Sequence, residues 1–390
     1  MCRIIALLCI FTTLFLCAGC AASGEEDGTR LIALNMGKAD GLLLLFDDQA
    51  YLIDAGYDYT FNLLREALRQ YGVNRLNGVF LTHCDKDHYG GLLPLAQSDI
   101  AVDTWYAAAV YYDVKPGRHP AELAAAERGE SVTWLRAGDT LALGGEARLQ
   151  VVGPLTQNTE NENNNSLVFY VDTADGTLLF TGDMKLEEEA ELMAAGLIES
   201  ADVLKIPFHG DNTASSESFV QRVSPAVALI CTSTVQEPDT PASSILKRYG
   251  RVGAQVLVTQ DYALGVEITL RAGRFTAEAL AWPTADYSRV LSAEIDPGED
   301  MLILRSSAAE DIDLSGWLIY STRGEDTVML PEGTVLPEGG AFRLGTRATS
   351  EAADLTLDIK RLWHKSKPDT AVIYDAAGTV AAVTDNGMPE

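Results

Sequence analysis

Directly after the apolar run Gly78-Val79-Phe80-Leu81 stand two histidines and two aspartates within six residues, His83-Cys84-Asp85-Lys86-Asp87-His88. Gly90-Gly91 then lets the backbone turn sharply before Leu92-Leu93 opens another element. Imidazole nitrogens and carboxylate oxygens at this density repel or go unsatisfied when merely buried, and they are the donors a divalent ion takes. The chain has five histidines, and this loop uses two of them. An ordinary polar loop is the competing reading. Cys84 is either a soft ligand or, as neighbours in sequence point different ways, a small residue tucked beneath the loop.

At 390 residues the chain exceeds one typical core, so two domains are expected. Its net charge is −27, with 56 acidic against 29 basic residues, which argues against a general nucleic-acid coat protein while leaving room for a local basic groove. Arg3 precedes an apolar run from Ile4 to Gly19 that is short for a membrane span and ends in small residues, the pattern of a processing signal. Leu16-Cys17-Ala18-Gly19-Cys20 resembles a bacterial lipobox, which implies lipidation of Cys20 and a membrane-anchored, extracytoplasmic protein. A secreted protein or an uncleaved anchor is the alternative. Only Cys84 and Cys231 lie beyond this leader, so no disulfide framework is implied.

The expected organisation is a leader over 1–19, a tether over 20–29, a first domain over 30–280, a linker over 281–288 and a second domain over 289–387. Short strands are expected at Leu31–Leu34, Leu42–Phe46, Tyr51–Ile53 and Gly78–Leu81, with a helix from Phe61 to Tyr71 closed by Gly72. Alternating strands and helices continue to about Leu270 and indicate a layered α/β domain. Glu187-Glu188-Glu189 reads as the exposed start of a helix over Leu186–Leu197, where acids suit the dipole. Beyond Ser288, short strands separated by turns such as Pro297-Gly298 and Gly339-Gly340 indicate a small all-β sandwich.

The loop with Gly-Gly-Leu behind it resembles the metallo-β-lactamase superfamily, closest to the competence-associated ComEC-like hydrolases, which carry Asp where other members carry a second His. Asn35–Gly41, Leu52-Ile53-Asp54-Ala55-Gly56, Asn163–Val168, Phe180-Thr181-Gly182-Asp183 and Leu204–Gly210 are similar to further family signatures, in family order. The resemblance implies an αββα sandwich. It also implies one or two divalent ions, zinc or manganese. His83 and Asp85 would hold one ion, Asp87 and His88 a second, and Asp183 would bridge them, at a spacing of about 3.5–4 Å, to activate water against a scissile phosphate. Asp54 would fix the loop without touching metal. His209 is a ligand or a proton donor, and Lys205 a phosphate-contacting cation or an exposed lysine. Asp87, His209 and Lys205 are thus the catalytic candidates. Where the family has His-His-Gly-Ser the chain has Phe208-His209-Gly210-Asp211, and Asp239-Thr240-Pro241 stands where Gly-His-Pro is expected. Glu237 or Asp239 could offer an oxygen instead. Asn163–Asn165 brings no third histidine. The oxygen-rich set leans towards manganese or a weaker zinc site.

The C-terminal part resembles a lamin-tail domain, an immunoglobulin-like sandwich, on Asp313-Leu314-Ser315-Gly316-Trp317 and Leu330–Gly339, with Trp317 expected in the core. Lys360-Arg361-Leu362-Trp363-His364-Lys365 is a basic cluster in an acidic chain. Lys360, Arg361 and Lys365 could contact nucleic acid, or Trp363 could turn inward and leave a solvated loop. The leading functional expectation is an anchored phosphodiesterase or nuclease acting on DNA or RNA. A hydrolase of esters, lactones or β-lactams, and a non-catalytic metal- or nucleic-acid-binding module, are the alternatives.

Overall fold

Along the strand Thr29–Leu34 successive side chains serve two different cores: Leu31 and Ala33 face one, Ile32 and Leu34 the other. Such a strand must be covered on both faces, and the computed structural model supplies both covers. It describes residues 28–388 apart from 113, 116, 235, 283–284 and 325. The leader, the tether up to residue 27 and Cys20 lie outside the described residues.

Two sheets pack face to face. The first runs, edge to edge, Arg274–Ala279, Gly265–Arg271, Thr29–Leu34, Gly41–Phe46, Gln49–Ala55, Gly78–Leu81, Trp105–Ala108 and Val132–Leu135. The second runs Gln255–Val258, Val227–Ile230, Val203–Lys205, Thr177–Phe180, Val168–Asp172, Ala147–Gly153 and Thr140–Gly144. Leu44, Phe80, Leu149, Phe169 and Phe180 fill the space between them, each contributing roughly 1.5–3 kcal/mol by leaving water. The helix Phe61–Gln70 lays Leu64, Ala67 and Leu68 on the outer face of the first sheet. Helices Leu186–Ala194, Glu217–Val223 and Ser243–Arg251 cover the outer face of the second through Leu192, Phe219 and Ile245. This is the expected αββα sandwich.

The acidic helix departs from expectation in two ways. It ends at Ala194, short of Leu197. Of its three leading acids only Glu187 is exposed: Glu188 and Glu189 are each 2% exposed. Glu189 accepts the Ser216 N–H at 3.1 Å, whereas Glu188 packs against Gly153 and Leu192. The run spans two faces of the helix, and the face carrying Glu188 and Leu192 turns inward.

From Leu291 onward the chain forms a β sandwich. One sheet joins Leu291–Asp296, Met301–Ser306, Ala341–Gly345 and Leu355–Thr356; the other joins Asp326–Met329, Leu318–Ser321, Thr370–Tyr374 and Val380–Asp385. Trp317 sits in its core as expected, with Ile319, Phe342 and Ile373. Trp363 is also in that core, 1% exposed, so it is turned away from any base. Lys360 and Lys365 are exposed, while Arg361 is tied to the Pro297 carbonyl at 3.0 Å. The sandwich is docked on the α/β layer: Asn62 donates to the carbonyls of Gly316 (2.5 Å) and Asp375 (3.0 Å), and Tyr59 stacks on Tyr320 with ring centroids 4.2 Å apart.

Candidate metal centre

Strand ends bring the donors together. The loop Thr82–Asp85 leaves the end of Gly78–Leu81 in the first sheet, and Asp87 and His88 lie on the short helix Lys86–Tyr89 that follows. Asp183 follows Thr177–Phe180 and His209 follows Val203–Lys205, both in the second sheet. The cleft therefore lies where the two sheets end side by side.

Asp54 organises the first of these loops. Fully buried, and with a left-handed φ of +56° that aspartate tolerates, it accepts the Thr82 N–H at 2.8 Å and the Thr82 hydroxyl at 2.7 Å. It also lies 2.7 Å from His88 Nδ1. Nδ1–H is thereby the donor to Asp54, and the lone pair of His88 is left on Nε2. His209 is arranged alike, with Nδ1 donating to the Cys231 carbonyl at 2.7 Å. His83 Nδ1 lies 3.1 Å from the Thr82 hydroxyl. Each imidazole is tethered by Nδ1, and in each Nε2 is buried without a hydrogen-bond partner.

Those three Nε2 atoms converge on carboxylates. His209 Nε2 lies 3.0 Å from Asp183 Oδ2 and 3.2 Å from Asp87 Oδ2; His88 Nε2 lies 3.3 Å from Asp183 Oδ1. Close approach outside hydrogen-bond geometry is what a shared cation between the donors relieves. Asp87, His88, Asp183 and His209 offer ligand atoms all within 4.8 Å of one another, and all four are buried. Two neutral imidazoles and two carboxylates suit zinc or manganese. Burial alone would lower the pKa of His209, yet Asp183, Asp87 and Asp40 raise it to about 9. The acids call for positive charge at this point. The residues present fit a divalent ion.

A second ion has a thinner set. His83 Nε2 is 3.5 Å from Asp85 Oδ2 and 3.9 Å from Asp183 Oδ2, and the Asp85 side chain is 45% exposed. The asparagines do not complete it. Asn164 bonds Glu187 and the Lys185 N–H, and Asn165 bonds Asn158 and Glu162. Asp183 reaches towards both groups, one oxygen to His88 and the other to His209 and His83.

Two expectations are corrected, those for Lys205 and for Glu237 or Asp239. Lys205 is neither exposed nor a cation at the cleft surface: its side chain is 1% exposed, and Nζ lies 2.5 Å from Asp40 Oδ2 and 3.1 Å from the Gly182 carbonyl, beneath Asp183. Glu237 and Asp239 are exposed and do not join the four buried donors. Thr240, where the expected histidine would stand, is buried against the Thr232 hydroxyl at 2.6 Å. Cys84 turns to the far side of its loop, where its Sγ lies 3.1 Å from His119 Nε2.

Several contributors were not singled out beforehand. Asp40, 1% exposed, links Lys205 to His209, its Oδ1 lying 3.6 Å from His209 Nδ1. Glu162 accepts from Cys84 N, Tyr112 N and Asn165 Nδ2, joining three loops around the cleft. Lys38 pairs with Asp87 at 3.2 Å. Asp40 and Lys38 both lie in the Asn35–Gly41 signature, where their charge was the available signal.

A family model described as the metallo-beta-lactamase superfamily matches residues 41–234, so the chain carries a metallo-beta-lactamase superfamily domain, with a β sandwich behind it. Among its curated relatives is Competence protein ComA of Neisseria gonorrhoeae, 27% identical over 55% of this chain and 28% of that protein. The chain is 26% identical to ComE operon protein 3 of Bacillus subtilis over 56% of its own length, and 25% identical to Recombination protein 2 of Haemophilus influenzae over 65%. These alignments cover 27% and 31% of the two relatives, so the chain spans about a third or less of either. A solved structure with a related fold is the metallo-beta-lactamase fold protein YhfI from Bacillus subtilis, 13% identical with a TM-score of 0.40, covering 65% of this chain and 100% of that one.

Proposed function

We propose that the protein is a metal-dependent phosphodiesterase or nuclease. The observation that carries this reading is the set Asp87, His88, Asp183 and His209, buried and within 4.8 Å, with the imidazoles pre-oriented through Nδ1. An ion held by these four residues would lower the pKa of a bound water and offset charge developing on a phosphoryl oxygen. Asp54 and the Cys231 carbonyl hold the two imidazoles in the ligand tautomer. His209 is thereby a ligand and not the proton donor. Asp40 and Lys205 form the floor beneath them. Three carboxylates, Asp85, Asp87 and Asp183, give the hard oxygen character that suits phosphoester chemistry. The names of the relatives, competence and recombination, point to nucleic acid as the substrate.

Anchoring through a lipid on Cys20 would place this activity outside the cytoplasmic membrane, and the lamin-tail-like sandwich would position it. Among the described residues no helix is long and apolar enough to cross a membrane. A binding module without turnover is favoured by one observation, the replacement of the expected histidine by the buried Thr240.

The deciding experiment strips metal from the full chain and restores Mn²⁺, Zn²⁺ or Mg²⁺ one at a time. DNA, RNA, bis-(p-nitrophenyl) phosphate, a carboxylic ester and a β-lactam are then assayed beside Asp87→Ala. Metal-dependent phosphodiester turnover lost in Asp87→Ala supports the proposal. Turnover that survives the substitution, or turnover of the ester or lactam alone, overturns it. Metal and nucleic-acid binding without turnover supports the module.

A further inference from the structure

Phe208 has backbone angles that a bulky residue avoids, φ +48° and ψ +48°, and His209 beside it has φ +51°. Two successive non-glycine residues in the left-handed region are strained and persist only where the surrounding structure holds them. The bend at His209 aims its imidazole. The bend at Phe208 has another consequence, since it leaves the ring half-buried at the mouth of the cleft with two ammonium groups over it: Lys185 Nζ 4.6 Å and Lys38 Nζ 5.9 Å from the ring centroid. The two lysines come from opposite sides of the sandwich. Lys38 precedes Gly41–Phe46 of the first sheet, and Lys185 heads the helix Leu186–Ala194 over the second.

Each lysine is held in place. The Lys185 backbone N–H donates to Asn164 Oδ1 at 3.1 Å, and the Lys38 N–H donates to Gln236 Oε1 at 2.5 Å. Both side chains keep partial contact with solvent. In a chain of net charge −27, two ammonium groups fixed on one aromatic ring beside the metal donors form a local anion seat. The seat lies beside Asp87, to which Lys38 is paired at 3.2 Å.

We infer that Lys38, Phe208 and Lys185 form a specificity-determining clamp for a second phosphate, adjacent to the scissile one, so that the substrate is a nucleic acid strand and not an isolated phosphodiester. This inference rests on the phosphodiesterase reading. It deepens that reading by requiring two neighbouring phosphates, one at the metal donors and one between the lysines.

The test compares dithymidine monophosphate with and without an added terminal phosphate, beside bis-(p-nitrophenyl) phosphate, using the metal-loaded full chain. The terminal phosphate is expected to lower KM roughly tenfold, the value of one charge-assisted contact. Lys185→Gln should collapse this preference towards one, Lys185→Arg should retain most of it, and Phe208→Leu should weaken it by loosening both ammonium groups. A second readout avoids turnover: calorimetric titration of the metal-free chain with the two dinucleotides, in which the phosphorylated one binds more tightly and Lys185→Gln removes the difference. Equal KM and equal binding of the two dinucleotides, with bis-(p-nitrophenyl) phosphate still cleaved, overturns the clamp and leaves the phosphodiesterase reading standing. If no phosphodiester is cleaved, that reading fails, and the titration alone decides the clamp.

Discussion

Lys205 and Asp40 form a buried ion pair, Nζ to Oδ2 2.5 Å, directly beneath the metal donors. Neither side chain is more than 2% exposed. Although burial alone would lower the Lys205 pKa, Asp40 and Asp183 raise it instead. Removing one partner leaves the other charge buried and uncompensated, at a cost of roughly 3–5 kcal/mol. Lys205→Met should therefore lower stability by about that amount in denaturant titration. Adding Asp40→Asn to Lys205→Met should restore a large part of it. A Lys205→Met protein as stable as the parent would refute the pair's structural role.

Asp54 sets the tautomer of His88 and grips Thr82 through two bonds, so it acts on the four-donor set through those neighbours. Removing a carboxylate that orients a ligating histidine weakens metal affinity about 10–100-fold. Asp54→Ala should show that loss in competition titrations with a chelating dye. Asp85→Ala should have a smaller effect on the first ion bound, because Asp85 is half-exposed and belongs to the thinner donor set.

Glu188 gives the fold a pH dependence. Burial pushes its carboxyl well above the ordinary 4.5, and the nearby Ser166 N–H does not offset this. Between 4.5 and the raised folded value the native state holds a proton that the unfolded chain has released. Stability from this residue is therefore full below pH 4.5 and is lost as pH rises through the folded value. Glu188→Gln should flatten that slope and raise stability at pH 8 by on the order of 1 kcal/mol. Melting temperatures of the two proteins across pH 5 to 8 decide it; parallel curves would reject the assignment.

What could be read beforehand follows the range of the interactions. His83 to His88 is legible because its donors are adjacent, and Asp183 and His209 because Phe180–Asp183 and Leu204–Gly210 resemble signatures of a known family. The partner of Lys205 is not legible. Asp40 lies in the loop before Gly41–Phe46 of the other sheet, far away in sequence, so an isolated lysine looks like a surface residue. Glu188 fails for a related reason: three consecutive acids look solvated, whereas the helix turns two of them, Glu188 and Glu189, inward. Trp363 among cations was ambiguous until the sandwich core claimed it. Phe208 was noticed as a departure from a family pattern, but its relation to Lys38 and Lys185 exists only in three dimensions.

The docking of the sandwich onto the hydrolase layer depends on a few contacts near the helix Phe61–Gln70. Asn62 is fully buried and bonds two carbonyls of the sandwich, and Tyr59 stacks between Tyr57 and Tyr320. A buried amide replaced by an apolar side chain leaves both carbonyls without their donor, at about 1–3 kcal/mol. Asn62→Leu should separate the unfolding of the two parts in calorimetry. It should also speed cleavage by an added protease within the 281–288 segment, while the metal affinity of the Asp87–His209 cluster stays within about twofold. A single unchanged transition with unchanged proteolysis would show that the docking does not depend on Asn62.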